Sequence, residues 1–373
     1  MFNFKQYDFK RYNIPLIIVV LLLGMIGAFL IKQVQTEEEN LFVKHLIGLA
    51  GGILIVVIVS LVDYHFISSF YIILYIINIA LLLMVKFMGY NLNDSQRWIR
   101  LGPIPLQPSE LSKIIMIIFL AKLYSIFRAK INNIFLIGAS LILVAIPVYF
   151  ILDQPNLSTS IVVLFIFGMM IFTAGLSWKI VMPILLIGLP AIGGLFWYIQ
   201  QDYQVLLKPY QQERVLSILN PELYPEIMFQ QDNSVQAIGS GQLYGKLLND
   251  GAENFRNYDM VPISESDFIF SVAGEEFGFI GSCIIIILFS ILIYICLVTA
   301  KRAPDYLGML IAVGIASMFA FQVFVNIGVA TSILPNTGIP LPFLSSGLSS
   351  MMSSMIAIGI IINIRLQPKK IRG

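Results

Sequence analysis

A carboxylate at the start of an apolar run is the residue in this sequence best placed to do chemistry. Asp267 follows the polar stretch 261–266 and precedes Phe268-Ile269-Phe270, so it stands where a loop becomes an apolar helix. An aspartate in such a place can act as a general base, because partial desolvation raises the pKa of a carboxyl group. Its position alone also fits a structural helix-start acid, since the helix dipole favours anions there. Glu275 and Glu276 follow inside the apolar run, where acids are costly and typically functional or paired with a base.

A second polar stretch combines bases with an acid and amide groups. Arg97 and Trp98 are followed by Gln107-Pro108-Ser109-Glu110-Leu111-Ser112-Lys113. Pro-Ser-Glu is typical of a helix start, with Ser109 or Gln107 at the cap. Glu110 and Lys113 are three residues apart, so they would share a helix face and form a pair. We interpret Trp98 as an anchor at the membrane interface rather than as a platform for substrate.

Further polar stretches complete the set of candidates. Residues 153–159 predict a short turn, and a long loop carries Arg214, Ser240 within a Gly-Ser-Gly turn, and Lys246. In the segment 334–347, three prolines and a glycine within eight residues cannot form a continuous helix. Non-helical backbone at membrane depth must be buried in protein or line a polar cavity, so this segment predicts a functional re-entrant loop.

Several kinds of site are excluded by residue type. His45 and His65 are the only histidines, and they lie at opposite faces of the membrane in the predicted topology, so no zinc cluster is expected. The sequence has no Walker loop, dinucleotide fingerprint, Cys-x-x-Cys or Gly-x-Ser-x-Gly motif. The net charge of +2 gives no basis for nucleic-acid binding.

The elements that must position these residues are membrane-spanning helices. Apolar residues make up 58% of the 373 residues, charged residues 12%, and the mean hydropathy is +0.87. A soluble domain carries about 25% charge, so we predict an all-α polytopic membrane protein with a single domain, 1–373. A spanning helix needs about 20 apolar residues. About ten such runs are present, at 14–31, 43–62, 67–88, 110–127, 132–151, 158–175, 179–199, 268–299, 306–330 and 345–364.

The distribution of charge predicts the orientation of these spans. If both termini are cytoplasmic, the inner segments hold 13 of the 23 bases but only three of the 21 acids, which are Asp8, Asp63 and Asp305. The outer side then has loops at 89–109, 152–157, 200–267 and 331–344. The longest, before the eighth span, is not low in complexity, and we expect it to form short helices on the outer membrane face.

In this order on ten spans, these stretches resemble the SEDS family (shape, elongation, division and sporulation), whose members include FtsW and, most like this chain, RodA. The resemblance covers nearly the whole chain. It is carried by RW-x(3)-G and QPSE-x-x-K within 97–113, SDFIF…GEEFGFIG within 266–281, and NIG…LP-x-TGIPLPF within 326–343.

The resemblance implies a peptidoglycan glycosyltransferase of the bacterial cytoplasmic membrane. Such an enzyme polymerises lipid II, a disaccharide-pentapeptide on undecaprenyl pyrophosphate, at the outer face of that membrane, in cell elongation, division or sporulation. Asp267 matches the family's essential aspartate. The candidate substrate-binding residues are Arg97, Gln107, Ser109, Glu110, Lys113, Arg214, Ser240, Lys246 and Ser266. Because a pyrophosphate leaving group is already a weak base, one carboxylate can suffice, acting as the base that deprotonates the acceptor 4-hydroxyl during attack with inversion.

Charge on the departing pyrophosphate needs stabilisation. Arg97, Lys113, Arg214 or Lys246 could supply it, together with a divalent cation such as Mg²⁺ or Mn²⁺. The sequence departs from the family pattern at the Asp267 motif and in the last loop. Ser266 stands for the usual Thr, Ile263 for Glu, Ser158 for Gly, and Ser346 and Leu348 for Tyr and Gly.

Two other functional classes fit a chain of this kind. One is a lipid II flippase or other transporter, whose polar groups would extend into the inner half of the membrane. The other is a non-catalytic scaffold for a penicillin-binding protein. The distinctive acids instead cluster on the predicted outer side, which favours the enzyme. The chain has no transpeptidase motif, so the resemblance also implies a class B penicillin-binding protein as partner, within a shell of membrane lipids.

Overall fold

The computed structural model describes residues 7–35, 40–92, 95–101, 104–154, 156–201, 203–206, 209–248 and 255–367, and this part of the chain is mostly helical. Its α-helices are α1 (Ile14–Val34), α2 (Leu41–Leu61), α3 (Tyr64–Ser69), α4 (Tyr71–Met88), α5 (Pro108–Ile126), α6 (Ile134–Asp153), α7 (Leu157–Thr173), α8 (Trp178–Ile199), α9 (Pro209–Leu219), α10 (Pro225–Ser240), α11 (Ile269–Arg302), α12 (Tyr306–Ala330) and α13 (Leu348–Leu366).

A helix occupies each of the ten ranges predicted to span the membrane. Within the described ranges, eight of these helices are long and apolar enough to cross a bilayer. The remaining two are α7, which is apolar but has only 17 residues, and α5, which carries Glu110, Lys113 and Lys122. The multi-pass helical fold is therefore confirmed, and the count of ten spans stays a prediction.

Side-chain caps mark where several helices begin. Asn133, Asn156 and Ser177 accept hydrogen bonds from backbone N–H groups in the first turns of α6, α7 and α8. Asp305 does the same for α12, accepting from the Gly308 N–H at 2.7 Å. These residues satisfy donors that a helix start would otherwise leave unpaired in an apolar environment.

The core forms around α12, which packs against α5, α7 and α11, while α13 packs against α2. Small residues allow α13 to approach α2 closely. A Cβ on Gly48 would lie 2.6 Å from the Leu348 side chain, and one on Gly52 would lie 2.7 Å from Met355. The Gly48-x-x-x-Gly52 face therefore serves packing within this chain rather than a surface for a partner.

A small antiparallel sheet, which was not predicted from the sequence, lies between α4 and α5. Its strands β1 (Tyr90–Leu92), β2 (Ser95–Leu101) and β3 (Ile104–Leu106) pair in the order β1-β2-β3. Where β2 pairs with β3, Ile99 lies opposite Leu106. The sheet leads directly into α5 and so fixes where that helix begins.

The long loop before α11 forms α9, α10 and short 3₁₀ turns, as predicted, and it docks on a break in α11. Gly278 has φ +67° and ψ −163°, outside the helical region. The N–H groups of Phe279 and Ile280 there donate to the carbonyls of Gln242 (2.8 Å) and Leu243 (3.2 Å). A Cβ on Gly278 would lie 2.3 Å from the Gly245 nitrogen, so only glycine permits this approach.

The N- and C-terminal ends of the described chain meet at one end of the helix bundle. The Asp8 N–H donates to the Leu366 carbonyl at 2.9 Å. Asn363 of α13 donates to the Ser60 carbonyl at 2.7 Å and accepts from the Tyr64 N–H at 3.0 Å. This end, formed by the start of α1 and the ends of α2 and α13, lies opposite the end where α5 and α11 begin.

An ion cluster joins two connections at the terminal end. His65 lies between Asp63 (2.9 Å) and Asp305 (2.5 Å). Partial burial by itself lowers the pKa of His65, but its hydrogen bonds to both carboxylates outweigh burial and raise it. Burial likewise raises the carboxyl pKa values, yet the hydrogen bonds each accepts leave the pKa of Asp63 and that of Asp305 lowered.

This cluster predicts a pH-dependent stability. The contribution of His65 is fully present below its ordinary pKa of 6.5 and is lost as the pH rises through the raised value. The contribution of the two aspartates to stability is present above their ordinary pKa of 3.8 and is lost as the pH falls through their lowered pKa values. We expect the unfolding temperature to fall above neutral pH by an amount equivalent to about 1 kcal/mol at most, because these side chains are partly exposed. In His65→Gln this decline should disappear; an unchanged decline would contradict the prediction.

Candidate active site

Asp267 lines a polar cavity of about 250 Å³ at the end of the bundle opposite the termini. The cavity is enclosed by β2, the start of α5, α10, the segment before α11 and the segment between α12 and α13. Its lining residues are Arg97, Trp98, Gln107, Gln230, Ile263, Ser266, Asp267, Asn336, Thr337, Gly338, Pro340, Gly347 and Ser350. Asp267 is the carboxylate of this set and Arg97 its cationic side chain.

The position of Asp267 differs from that of a helix cap. Helix α11 begins at Ile269, and Phe268 occupies the capping position. Phe268 and Phe270 are buried, whereas Asp267 is half-buried and faces the cavity. Ser266 donates a hydrogen bond from its hydroxyl to Asp267 Oδ1 at 3.1 Å. Serine therefore supplies the hydroxyl beside this carboxylate.

Asn326 of α12 holds the Asp267 segment against the segment that follows α12. Its Nδ2 donates to the carbonyl of Asp267 and to that of Ile339, both at 2.8 Å. Both protons of the amide are thus used, one on each segment. In the sequence, Asn326 belonged to a motif but had no predicted role.

The segment between α12 and α13 is non-helical and enters the protein, as its prolines predicted. Ser345 Oγ donates to the Ser266 carbonyl at 2.6 Å, and the Ser346 N–H donates to the Glu265 carbonyl at 3.0 Å. A Cβ on Gly27 of α1 would lie 2.6 Å from the Leu344 carbonyl oxygen, so the segment reaches about two turns from the end of that helix.

Within this segment, Gly338 lies directly against Asp267, the candidate catalytic residue. It has φ +69°, and a Cβ there would lie 3.2 Å from Asp267 Oδ2. Close approach and a left-handed backbone both require glycine at this position.

The first turns of α5 contribute one lining residue and a buried ion pair. Gln107 lines the cavity, and its N–H donates to Ser349 Oγ at 2.9 Å. Lys113 Nζ lies 2.8 Å from Glu110 Oε1, with both side chains nearly inaccessible, so the predicted pair is present. Ser353 Oγ also donates to Glu110 Oε2 at 3.3 Å. Ser109 is buried and accepts from Asn156 at 3.4 Å, so only Gln107 of this helix start reaches the cavity.

Arg97 connects the cavity to the short turn before α7. Its Nε donates to the Gln154 carbonyl at 3.2 Å, and Gln154 Nε2 donates to the Leu82 carbonyl at 2.9 Å. Ser158 Oγ, where the family usually has glycine, donates to the Thr337 carbonyl. The turn at 153–159 therefore supports two sides of the cavity.

Two predicted site residues on the long loop, Ser240 and Lys246, lie outside the cavity lining, as Ser109, Glu110 and Lys113 also do. Ser240 Oγ donates to Glu275 Oε1 at 3.0 Å, and Lys246 Nζ pairs with the same oxygen. Arg214 lies in α9, and its side chain is outside the described residues. For these residues, and for Ser109, Glu110 and Lys113, a role in binding substrate stays a prediction.

The two acids inside the apolar run bind the loop that precedes α11 to that helix. Besides Ser240 and Lys246, Glu275 accepts from the Asn257 and Tyr258 N–H groups, each at 2.8 Å. Glu276 accepts from Arg256 Nε at 2.8 Å and from the Tyr258 hydroxyl at 2.9 Å. Both acids therefore face partner bases and lie outside the lining of the Asp267 cavity.

Several lining residues were not predicted from the sequence. Trp98 was interpreted as an interface anchor, yet it lines the cavity. Gln230 of α10 had no signal in the sequence; its Oε1 accepts from Asn336 Nδ2 at 2.7 Å across 106 positions. Only the folded chain brings these groups together.

These features define a multi-pass helical membrane protein with an aspartate-bearing polar cavity at one end of its bundle. The chain matches the model of the cell cycle protein family that takes its name from FtsW, RodA and SpoVE over residues 12–370, so it belongs to this family. The family indicated by the sequence motifs is thereby confirmed.

Relatives and solved structures agree with this assignment over nearly the whole chain. Stage V sporulation protein E of Bacillus subtilis is 35% identical, with 94% of this chain and 96% of that protein covered. The peptidoglycan glycosyltransferase MrdB of Escherichia coli K12 is 30% identical, with 98% and 97% covered. A chain in the structure of a peptidoglycan synthase complex that coordinates polymerization and crosslinking matches with a TM-score of 0.77 at 28% identity, covering 96% of this chain and 97% of that one. The rod shape determining protein RodA of Thermus thermophilus matches with a TM-score of 0.70 at 25% identity, covering 97% and 98%.

Proposed function

We propose that this protein is a peptidoglycan glycosyltransferase that polymerises lipid II, with Asp267 as the general base. The observation that carries the proposal is the half-buried Asp267 carboxylate in a polar cavity whose cationic lining residue is Arg97. Relatives aligned along almost the whole chain are named as peptidoglycan glycosyltransferases, which supports the reaction class.

The reaction needs one proton acceptor and one site for negative charge. The acceptor sugar 4-hydroxyl gives its proton to the Asp267 carboxylate, and its oxygen attacks the anomeric carbon of the donor. The bond from that carbon to the pyrophosphate oxygen breaks, and undecaprenyl pyrophosphate leaves with the electron pair. Because the pyrophosphate is a weak base, no second carboxylate has to protonate it. We assign the stabilisation of the charge that develops on it to Arg97, which lines the same cavity.

The residues around Asp267 orient its carboxylate and the substrate. Ser266 Oγ donates to Asp267 Oδ1, and Oδ2 lies beside Gly338, so the carboxylate is held from two sides. Gln107 and Gln230 present amide groups that can hydrogen-bond sugar hydroxyls.

A divalent cation is a further proposal. Among the described residues, no group of three or more His, Cys, Asp or Glu side chains converges as a metal site. Mg²⁺ is commonly held by one or two carboxylates together with substrate phosphates. Because the one carboxylate in the lining, Asp267, is assigned as the base, the cation would be held chiefly by the pyrophosphate oxygens and would supply charge neutralisation there.

The proposed location is the bacterial cytoplasmic membrane with the cavity facing outward. Both ends of the described chain lie at the bundle end opposite Asp267, and the basic residues concentrate there. Lys/Arg enrichment marks the cytoplasmic side, so the termini are inside and the cavity opens where lipid II is used.

The alternative of a lipid II flippase is tested together with the enzyme. Purified protein is reconstituted into vesicles containing lipid II labelled on its peptide, and both glycan polymer and label transfer between leaflets are measured. We expect polymer to form without faster transfer of the label than in empty vesicles. Rapid transfer without polymer would instead identify a transporter.

A class B penicillin-binding protein is the proposed partner, because glycan strands require crosslinking and this chain carries no transpeptidase motif. A structural relative belongs to a complex that coordinates polymerization with crosslinking. We expect the partner to co-purify and to stimulate polymerisation by ordering the outer loop that leads into Asp267. Equal activity with and without bound partner would contradict this coupling.

Gly338→Ala should slow polymerisation about tenfold or more. The added Cβ meets Asp267 Oδ2 at 3.2 Å and imposes about 1–2 kcal/mol of strain at φ +69°. The matched control is Gly347→Ala in the same cavity, where a Cβ meets only Ser350 at 3.7 Å. Equal rates for the two variants would contradict a close fit at Gly338.

A further inference from the structure

A second cavity, of about 460 Å³, lies at the bundle end that carries the termini. It is lined by Arg11, Thr299, Arg302 and Arg365. Arg11 ends the 3₁₀ turn before α1, Arg302 ends α11, and Arg365 lies in the last turn of α13. Three guanidinium groups from three separate elements therefore face one space.

The positive charge of this cavity is poorly compensated. Arg11 Nε pairs with Asp8 at 3.0 Å, between partly exposed side chains. Neither the Arg302 side chain nor the Arg365 side chain has a hydrogen bond or ion pair with any residue in the described ranges. The nearby acid Asp305 is already engaged by His65 and by the Gly308 N–H. Cations that are brought together without acids attract an anion.

The chemistry of the lining selects a phosphate group. Guanidinium donors form a planar fork that matches phosphate oxygens, and several forks together can hold one phosphate from different sides. Thr299 is almost fully buried, and its hydroxyl donates to the Ile295 carbonyl at 2.9 Å, so the arginines supply the donors.

The surroundings favour a phosphate that belongs to a lipid. The arginines lie where apolar helices end, which is the depth of lipid headgroups. A few residues along the chain from Arg11 and Arg302, Ile14 and Ile18 of α1 and Leu297 of α11 are exposed, at 60%, 50% and 47%. Acyl chains would cover these side chains while the headgroup phosphate enters the cavity.

We infer that this arginine cavity binds the phosphate headgroup of an anionic phospholipid and so ties together the cytoplasmic ends of α1, α11 and α13. The site is separate from the Asp267 cavity and does not depend on glycosyl transfer. Basic pockets between spanning helices on the cytoplasmic side are suited to such headgroups.

The test is thermal unfolding of the purified full chain in neutral detergent with added phosphatidylglycerol, phosphatidylcholine of the same acyl chains, or inorganic phosphate. We expect phosphatidylglycerol alone to raise the unfolding temperature, by about 3 °C or more. The double variant Arg302→Gln with Arg365→Gln should lose most of this rise. Lys301→Gln, which removes an adjacent exposed base outside the cavity lining, should keep it.

Two results would overturn the inference. Equal loss in the double variant and in Lys301→Gln would show a diffuse charge effect, and a full rise with inorganic phosphate would show a free-anion site. If the double variant does not fold, native mass spectrometry of Arg365→Lys replaces it. That variant keeps the positive charge but lacks the planar guanidinium group, so it should retain clearly less bound phosphatidylglycerol than the wild type. Equal retention would count against the site.

Discussion

Replacing Asp267 with asparagine is expected to reduce lipid II polymerisation by about 10²–10⁴-fold while leaving the chain folded. The change is nearly isosteric, and the Ser266 hydroxyl can still donate to the amide oxygen as it does to Oδ1. Asparagine, however, has no basic oxygen to accept the proton of the acceptor hydroxyl. The measurement is the initial rate of polymer formation by reconstituted protein, with the elution profile and unfolding temperature as checks on folding.

The matched control is Asp259→Asn in the same outer loop. Asp259 lies in the 3₁₀ turn Asn257–Met260 and is outside the lining of the cavity, so its loss should leave the rate within about twofold of wild type. A near wild-type rate for Asp267→Asn would remove Asp267 from the role of base. Loss of folded protein would instead assign it a structural role.

The second large effect is expected at the buried pair Glu110–Lys113. Glu110→Gln or Lys113→Met leaves one charge buried without its partner, which costs about 3–5 kcal/mol. Each single variant should therefore give much less folded protein, seen as a lower yield and a lower unfolding temperature. The exchange Glu110→Lys with Lys113→Glu keeps opposite charges on one helix face and should restore much of the stability and activity.

Lys122→Met serves as the control, because it removes a charge from the same helix at a partly exposed position without breaking this pair. It should change stability much less than either single variant. Because the pair orders the start of α5, we expect the exchanged variant to recover both folding and activity. Recovery of folding without activity would show that Glu110 or Lys113 contacts substrate.

The helical part of the fold was predictable because it depends on local composition. Apolar runs of about 20 residues located a helix in each of ten ranges, and the prolines at 335, 340 and 342 located the non-helical segment. The sheet at 90–106 was not predicted, because β1 and β3 have three residues each and the seven residues of β2, SQRWIRL, do not alternate between apolar and polar as a half-buried strand does.

The site was predictable only where one residue or one helix turn carries the signal. Asp267 stood out at a loop–helix junction, and Glu110 with Lys113 followed from their spacing. Trp98, Gln230 and Asn336 reach the cavity through contacts between distant segments, which no local pattern encodes. Glu275 was flagged as an acid in an apolar run, but its pairing with Lys246 depends on how the outer loop folds back onto α11.

The central claim is that this chain itself forms glycosidic bonds at the Asp267 cavity. Its most direct test measures, in one reaction of the purified protein with lipid II, both the disaccharide units incorporated into glycan and the undecaprenyl pyrophosphate released. We expect steady incorporation by the wild-type protein, one undecaprenyl pyrophosphate released for each bond formed, and neither product from Asp267→Asn. Folded wild-type protein that yields neither product, even with its penicillin-binding partner present, would contradict the claim.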